Sequence, residues 1–190
     1  MALDLGDIRF LFERHGEIAY SGEPVTQLQH ALQCGTLAQA AGAADPLIAA
    51  AFLHDLGHLL NLQGETPSAR GIDDRHQYFA LPFLRAWLPD SVLEPIRLHV
   101  DAKRYLCAID SGYRQRLSAD STRSLALQGG VFDEDQARAF IEKPLAQDAV
   151  SLRRWDDVAK EASMRTPALE HFLSVVERVA HKKAKPGQPR

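Results

Sequence analysis

Residues 47–60, LIAAAFLHDLGHLL, constrain the fold more than any other stretch of the chain. Wound as a helix they are apolar on every side, and a helix with no polar face must be buried. Yet the stretch carries His54, Asp55 and His58. An ionised carboxylate in an apolar interior is very costly unless a cation or a metal accompanies it. Core histidines around a salt-bridged aspartate meet that requirement, and so does a metal site. An adjacent His–Asp pair inside an apolar helix favours the metal.

One histidine and one aspartate do not complete a site, and the other ligands must come from elsewhere. His30 falls on a helix that carries Gln27 and Cys34 on the same face. His76 sits one turn into a helix that Asp73 is expected to cap, and His99 shares a face with Lys103. Asp156 lies in the run Arg153-Arg154-Trp155-Asp156-Asp157. Four imidazoles and two carboxylates are too many for one tetrahedral ion, and they suit two metals bridged by a carboxylate. His15, His171 and His181 have no such context and read as surface or structural residues.

The surrounding periodicity is helical nearly throughout, which makes the fold class all-α. Ile8, Leu11 and Phe12 mark an amphipathic first helix ending at Gly16, and a second runs over about 23–41 with Gly42 as its stop. Asp45 and Pro46 form an N-cap and first-turn pair opening a third helix through residue 60. Residues 61–72 read as a loop. Asp73 opens a helix towards Trp87 that is interrupted at Pro82, and Pro89 and Asp90 restart the chain into one reaching about residue 108. Shorter helix and turn follow to Gly129-Gly130, and further helices open at Asp133, Pro144 and Ala168.

A chain of 190 residues, 45% hydrophobic and 25% charged, is expected to form a single domain over 1–180 with a basic, frayed tail at 181–190. With 22 basic and 25 acidic residues it lacks the positive surface a nucleic-acid partner needs, though a few buried cations can still hold a small anion. Neither a targeting nor a membrane-spanning segment is legible. Two cysteines, Cys34 and Cys107, are too few for a disulfide framework, so the expected compartment is the cytoplasm.

A family resemblance rests on motifs in chain order. These are Tyr20-Ser21-Gly22-Glu23, His30-Ala31-Leu32-Gln33-Cys34, His54-Asp55-Leu56-Gly57-His58 and Asp73-Asp74-Arg75-His76. His99-Val100-Asp101-Ala102-Lys103-Arg104-Tyr105-Leu106, Leu127-Gln128-Gly129-Gly130 and Arg153-Arg154-Trp155-Asp156 complete the series. The series resembles the HD-domain mixed-valent diiron oxygenases of phosphonate breakdown, the PhnZ/TmpB type. The resemblance implies an HD-domain helical bundle with a dinuclear metal site at its centre, two iron ions as Fe(II)/Fe(III), and O2 as co-substrate. His30, His54 and Asp156 would hold one iron and His76 and His99 the other, with Asp55 bridging.

The implied reaction cleaves the C–P bond of a 1-hydroxy-2-aminoethylphosphonate to phosphate and a carboxylate. Lys103, Arg153, Ser121, Ser124, Gln128 and His58 would surround the phosphonate. Tyr20 would occupy an open iron position until substrate displaces it, and Glu23, with Asp101 near Lys103, would meet the cationic end. The spellings at 73–76 and 100–103 lean towards the trimethylated substrate, giving glycine betaine, over the primary amine, giving glycine. A dinuclear phosphohydrolase uses the same ligands, with hydroxide attacking phosphorus. A helical interaction module would need none of them.

Overall fold

The computed structural model describes residues 2–20, 22–61 and 67–181. Among them every regular element is helical.

The first helix, α1 (Leu5–His15), starts in a capping box between Asp4 and Asp7 and ends at Gly16. The second, α2 (Gln27–Ala40), begins later than the periodicity suggests. Thr26 caps it reciprocally with Gln29. The preceding residues form a tight turn, with Glu23 N–H donating to Tyr20 O at 2.8 Å and Tyr20 N–H to Val25 O at 3.0 Å.

The long apolar helix is in fact two. After α3 (Asp45–Leu53) the chain turns at His54 and Asp55 and resumes as α4 (Leu56–Leu60). Ala44 holds the cap position of α3, and Asp45 is its first helical residue, with Pro46 in the first turn. Within the expected loop, Pro67–Arg70 winds as a 3-10 turn, and residues 62–66 lie outside the described residues.

The helix expected from Asp73 to Trp87 is also divided, into α5 (His76–Phe79) and α6 (Leu81–Leu84). Asp73 does not cap it. Arg75 stands at the N-cap of α5 with φ of 51°, a left-handed conformation uncommon for a non-glycine residue. The break falls at Ala80 rather than Pro82. Pro82 lies in the first turn of α6, where its missing N–H leaves no helical bond unmade.

The rest follows the expected order: α7 (Asp90–Ile109), α8 (Ser111–Arg116), α9 (Ala119–Leu127), α10 (Glu134–Ile141), α11 (Ala146–Val158) and α12 (Leu169–Val179). α11 starts at Ala146 rather than Pro144, behind Leu145 in the left-handed region. The tail expected at 181–190 falls, beyond His181, outside the described residues.

As its composition requires, α3 is buried from Ile48 to Leu53, and it packs against α2, α7, α11 and α12. Phe52 stacks between Phe12 and Phe172, with centroids 4.9 and 5.5 Å away. Gly35 makes this possible, because a Cβ there would lie 2.5 Å from the Phe172 ring. A second apolar cluster joins Leu98, Ala102 and Leu106 of α7 to Tyr113, Leu125, Phe140 and Ala149. α7 contributes to both clusters. Among the described residues no helix is long and apolar enough to cross a membrane.

Candidate metal centre

His30 on α2 and His54 at the end of α3 are fully buried, and Asp156 on α11 is nearly so. His30 Nδ1 lies 2.9 Å from Ala159 O, and His54 Nδ1 lies 2.9 Å from Ala51 O. A carbonyl accepts only from a protonated ring nitrogen, so each Nδ1 carries a hydrogen and each Nε2 is the nitrogen turned inward. Those Nε2 atoms are 3.4 Å apart. His30 Nε2 is 3.4 Å from Asp156 Oδ1 and 3.5 Å from Asp55 Oδ2, and His54 Nε2 is 3.3 Å from the same Asp55 oxygen. Metal bonds of about 2.1 Å put neighbouring donors roughly 3.0–3.4 Å apart, so the spacing suits one ion.

A second cluster adjoins it. His76 on α5 and His99 on α7 bring their Nε2 atoms to 3.0 Å. Their Nδ1 atoms lie 2.8 Å from Asp74 Oδ1 and 2.7 Å from Ile96 O, which again turns each Nε2 inward. Asp55 Oδ1 is 3.4 Å from His76 Nε2 and 3.9 Å from His99 Nε2. One carboxylate thus offers an oxygen to each cluster. The chain turn at His54–Asp55 allows this, because consecutive residues of a continuous helix diverge by about 100°. Four converging Nε2 nitrogens and two buried carboxylates, without a thiolate, are a nitrogen–oxygen donor set suited to two divalent or trivalent cations.

The charges support this arrangement. Burial opposes ionisation of Asp55 and Asp156, but the imidazoles around Asp55 and the Arg153 guanidinium beside Asp156 hold both well below the usual carboxylate range. Burial and both carboxylates push the Cys34 thiol up, so Cys34, 3.6 Å from His30 Nε2, remains a neutral packing group. The same influences raise the Tyr20 phenol, which stacks on His30 and donates to Asp156 Oδ1 at 3.3 Å. His58 lies between Asp74, 3.0 Å from its Nδ1, and Asp55, 3.7 Å from its Nε2. Burial disfavours its charge, yet the two carboxylates raise its pKa above the ordinary value.

A narrow cleft opens beside the clusters and includes Tyr20, His58, Lys103, Ser121, Ser124, Gln128 and Arg153 in its walls. Lys103 is 2% exposed, donates to Ser124 Oγ at 2.7 Å, and has no carboxylate partner among the described residues. Burial and the nearby Arg153 lower its pKa to about 7. Gln128 Oε1 is buried with no hydrogen-bond partner. Arg153 is held firmly: it donates to Asp156 Oδ2 at 2.7 Å, Tyr113 Oη at 3.2 Å, Ser121 Oγ at 3.3 Å, and Asp157.

Two expected contacts are not brought to the cleft. Asp101 pairs with Arg104 at 3.4 Å, and it lies two residues from Lys103 on the helix, where side chains diverge. Glu23 pairs with Lys160 at 3.1 Å. His171, half-buried beside Gln39, and His181, exposed, lie away from the clusters.

The structure also brings in residues that sequence reasoning did not assign to the centre. Asp74 holds both His58 and His76, and Asp157 accepts from Tyr113 and Arg153. The i, i+4 spacing of Arg153 and Asp157 is the one signal that pointed to the second pair. Gly57 is required as well, because a Cβ there would lie 2.2 Å from His76 O. No side chain fits where α4 and α5 pass.

No family model matches the chain. It is 37% identical over 172 residues to 1-hydroxy-2-(trimethylamino)ethylphosphonate dioxygenase (glycine-betaine-forming) of Leisingera caerulea, covering 90% of this chain and 88% of that one. It is 40% identical over 168 residues to hydroxymethylphosphonate dioxygenase of Gimesia maris, covering 88% and 83%. An uncharacterized protein of Acanthamoeba polyphaga mimivirus is 31% identical over 169 residues, covering 87% and 77%.

Proposed function

We infer the reaction from one premise: the chain belongs to the HD-domain oxygenases of phosphonate catabolism, the PhnZ/TmpB type. It is an oxidoreductase, a dioxygenase that breaks a C–P bond. The balanced reaction is R–CH(OH)–PO3(2−) + O2 → R–COO(−) + HPO4(2−) + H(+). Carbon loses four electrons, dioxygen gains four, and phosphorus keeps its oxidation state. The observation that carries this reading is Asp55, whose two oxygens face two imidazole clusters beside the buried, carboxylate-free Lys103.

We take the metals to be two irons. His30, His54 and Asp156 would hold one, His76 and His99 the other, and Asp55 both. Bound there, they supply the redox chemistry that couples C1 oxidation to dioxygen.

The chain's own residues do the rest. Lys103 in its protonated form, with the hydroxyls of Ser121 and Ser124 and the amide of Gln128, binds the phosphonate. Arg153, already saturated by its partners, gives that pocket a fixed positive wall. His58, whose charged form Asp55 and Asp74 favour, adds a donor beside the phosphonate. Tyr20 covers the first cluster through its bond to Asp156 and gives way as substrate enters. Residues 1–180 act as one domain in the cytoplasm on a small organophosphonate, without nucleic acid or membrane as partner.

The test is to load the protein with iron under argon, add a 1-hydroxyphosphonate, and admit air. The expected outcome is phosphate and carboxylate in equal amounts with the dioxygen consumed, and two irons bound per chain. Phosphate released without dioxygen would turn the assignment to a phosphohydrolase. Full activity with a single metal per chain would remove the bridging role of Asp55.

A further inference from the structure

Resting on the reading above, we propose that the substrate carries no ammonium group next to its phosphonate, and that Lys160 enforces this. The preferred class is then hydroxymethylphosphonate or a 1-hydroxyphosphonate with a small uncharged substituent.

A primary ammonium needs convergent acceptors, and a quaternary one needs aromatic faces. Among the described residues five carboxylates line the cleft. Asp55 and Asp156 belong to the metal clusters. Asp74 is engaged by His58 and His76, and Asp120 accepts from Ser68 and pairs with Arg123 at 3.2 Å. The fifth, Asp73, is exposed at the rim, where water screens any ion pair. Among the described residues Tyr20 is the one lining aromatic besides the imidazoles, and its ring is stacked on His30 with centroids 3.8 Å apart. No cage for a trimethylammonium exists among these residues.

Among the described residues the remaining acid near Tyr20 is Glu23, and a cation built into the chain already holds it. Lys160 Nζ lies 3.1 Å from Glu23 Oε1, 3.4 Å from Ser118 Oγ and 5.9 Å from the Tyr20 ring centroid. Its backbone is clamped on both sides. Ala159 O accepts from His30 Nδ1, and Glu161 exchanges two hydrogen bonds with the Gln33 side chain, at 2.8 and 3.1 Å. The lysine is therefore held in place before any ligand arrives. Glu23 and Lys160 do not line the cleft but stand behind Tyr20, so an ammonium that arrives as Tyr20 gives way meets like charge and an acid already neutralised. Specificity of this kind comes from the repulsive element as much as from the attractive one.

The preference turns around the lean of residues 73–76 and 100–103 towards the trimethylated substrate. With hydroxymethylphosphonate the balance is HO–CH2–PO3(2−) + O2 → HCOO(−) + HPO4(2−) + H(+).

The test has a binding arm and a turnover arm. Ethylphosphonate and 2-aminoethylphosphonate lack the C1 hydroxyl and differ by one amine, so calorimetric titration of the metal-loaded protein reads the amine alone. The expected result is ethylphosphonate binding about tenfold more tightly. Lys160→Met should close that gap, and Lys160→Arg should keep it. Tighter binding of the amine by the native protein, or an unchanged ratio in Lys160→Met, overturns the proposal.

In turnover, formate and phosphate from hydroxymethylphosphonate should exceed the yield from 1-hydroxy-2-aminoethylphosphonate and its trimethylated form. Better turnover of either amine overturns the specificity and leaves the oxygenase standing. Oxygen-dependent phosphate from none of the three overturns both.

Discussion

The two halves of the metal centre are built differently. His30, His54 and Asp156 stand on or beside long helices, their side chains 0–4% exposed. Two of their outward contacts are to backbone carbonyls, Ala159 O and Ala51 O. In the second half His99 is as buried, on the long α7, but His76 and the neighbouring His58 stand on helices of four and five residues, 11% and 20% exposed, and both are oriented by the side chain of Asp74. Packing fixes the first half, and a single acid beside a left-handed turn fixes much of the second. A centre that admits a substrate anion and dioxygen needs one side that opens. The lightly built half is the one facing the cleft.

The largest effect should come from the packed half. His54→Ala removes a fully buried ligand, and metal analysis with turnover should show the first ion and all activity gone together. His76→Ala should abolish activity too, while keeping the first ion. Equal metal loss in both variants would mean that the halves form one unit.

Gly57→Ala tests the same division without touching a ligand. The new methyl has to displace His76 O, and bound metal should fall to the first ion alone.

Lys103→Ala should keep both metals and lower kcat/KM about 10- to 100-fold, the worth of a charge-assisted bond to an anion. The sign of its pH dependence follows from the lysine pKa of about 7. The charged amine that binds the phosphonate is present below that value and lost above it, so kcat/KM should fall as pH rises through about 7. Lys103→Arg should lose that alkaline limb, because a guanidinium keeps its proton.

Tyr20→Phe deletes only the hydroxyl on Asp156, and a competition titration should show a loss of metal affinity of about tenfold or less. Least of all, Asp45→Asn separates an exposed pair with Arg178 far from both halves. It should leave activity and Tm where they are.

How legible these features were in the sequence follows the same division. His30, His99 and Asp156 lie on helices whose periodicity is plain, and the buried character of 47–60 follows from its composition alone. The rim half was less legible. Asp73 looks like a cap, but the chain gives the N-cap position to Arg75, and the helix expected through Pro82 ends at Ala80. Short helices take their ends from contacts with other elements, here the passage of α5 against Gly57, rather than from local propensity.

By itself the sequence determined the helical class and the donor types. A stretch apolar on all sides has to be buried, and an aspartate inside it has to meet positive charge. Only the tertiary structure decided where the chain turns between His54 and Asp55, which oxygen of Asp55 faces which cluster, and that Asp74 and Asp157 orient the groups around them. It also decided that Glu23 meets Lys160, 137 residues away, instead of an open cleft. Helical periodicity is a property of neighbours in the chain. Partners so far apart are chosen by how whole helices pack, and that choice leaves no mark in the local pattern.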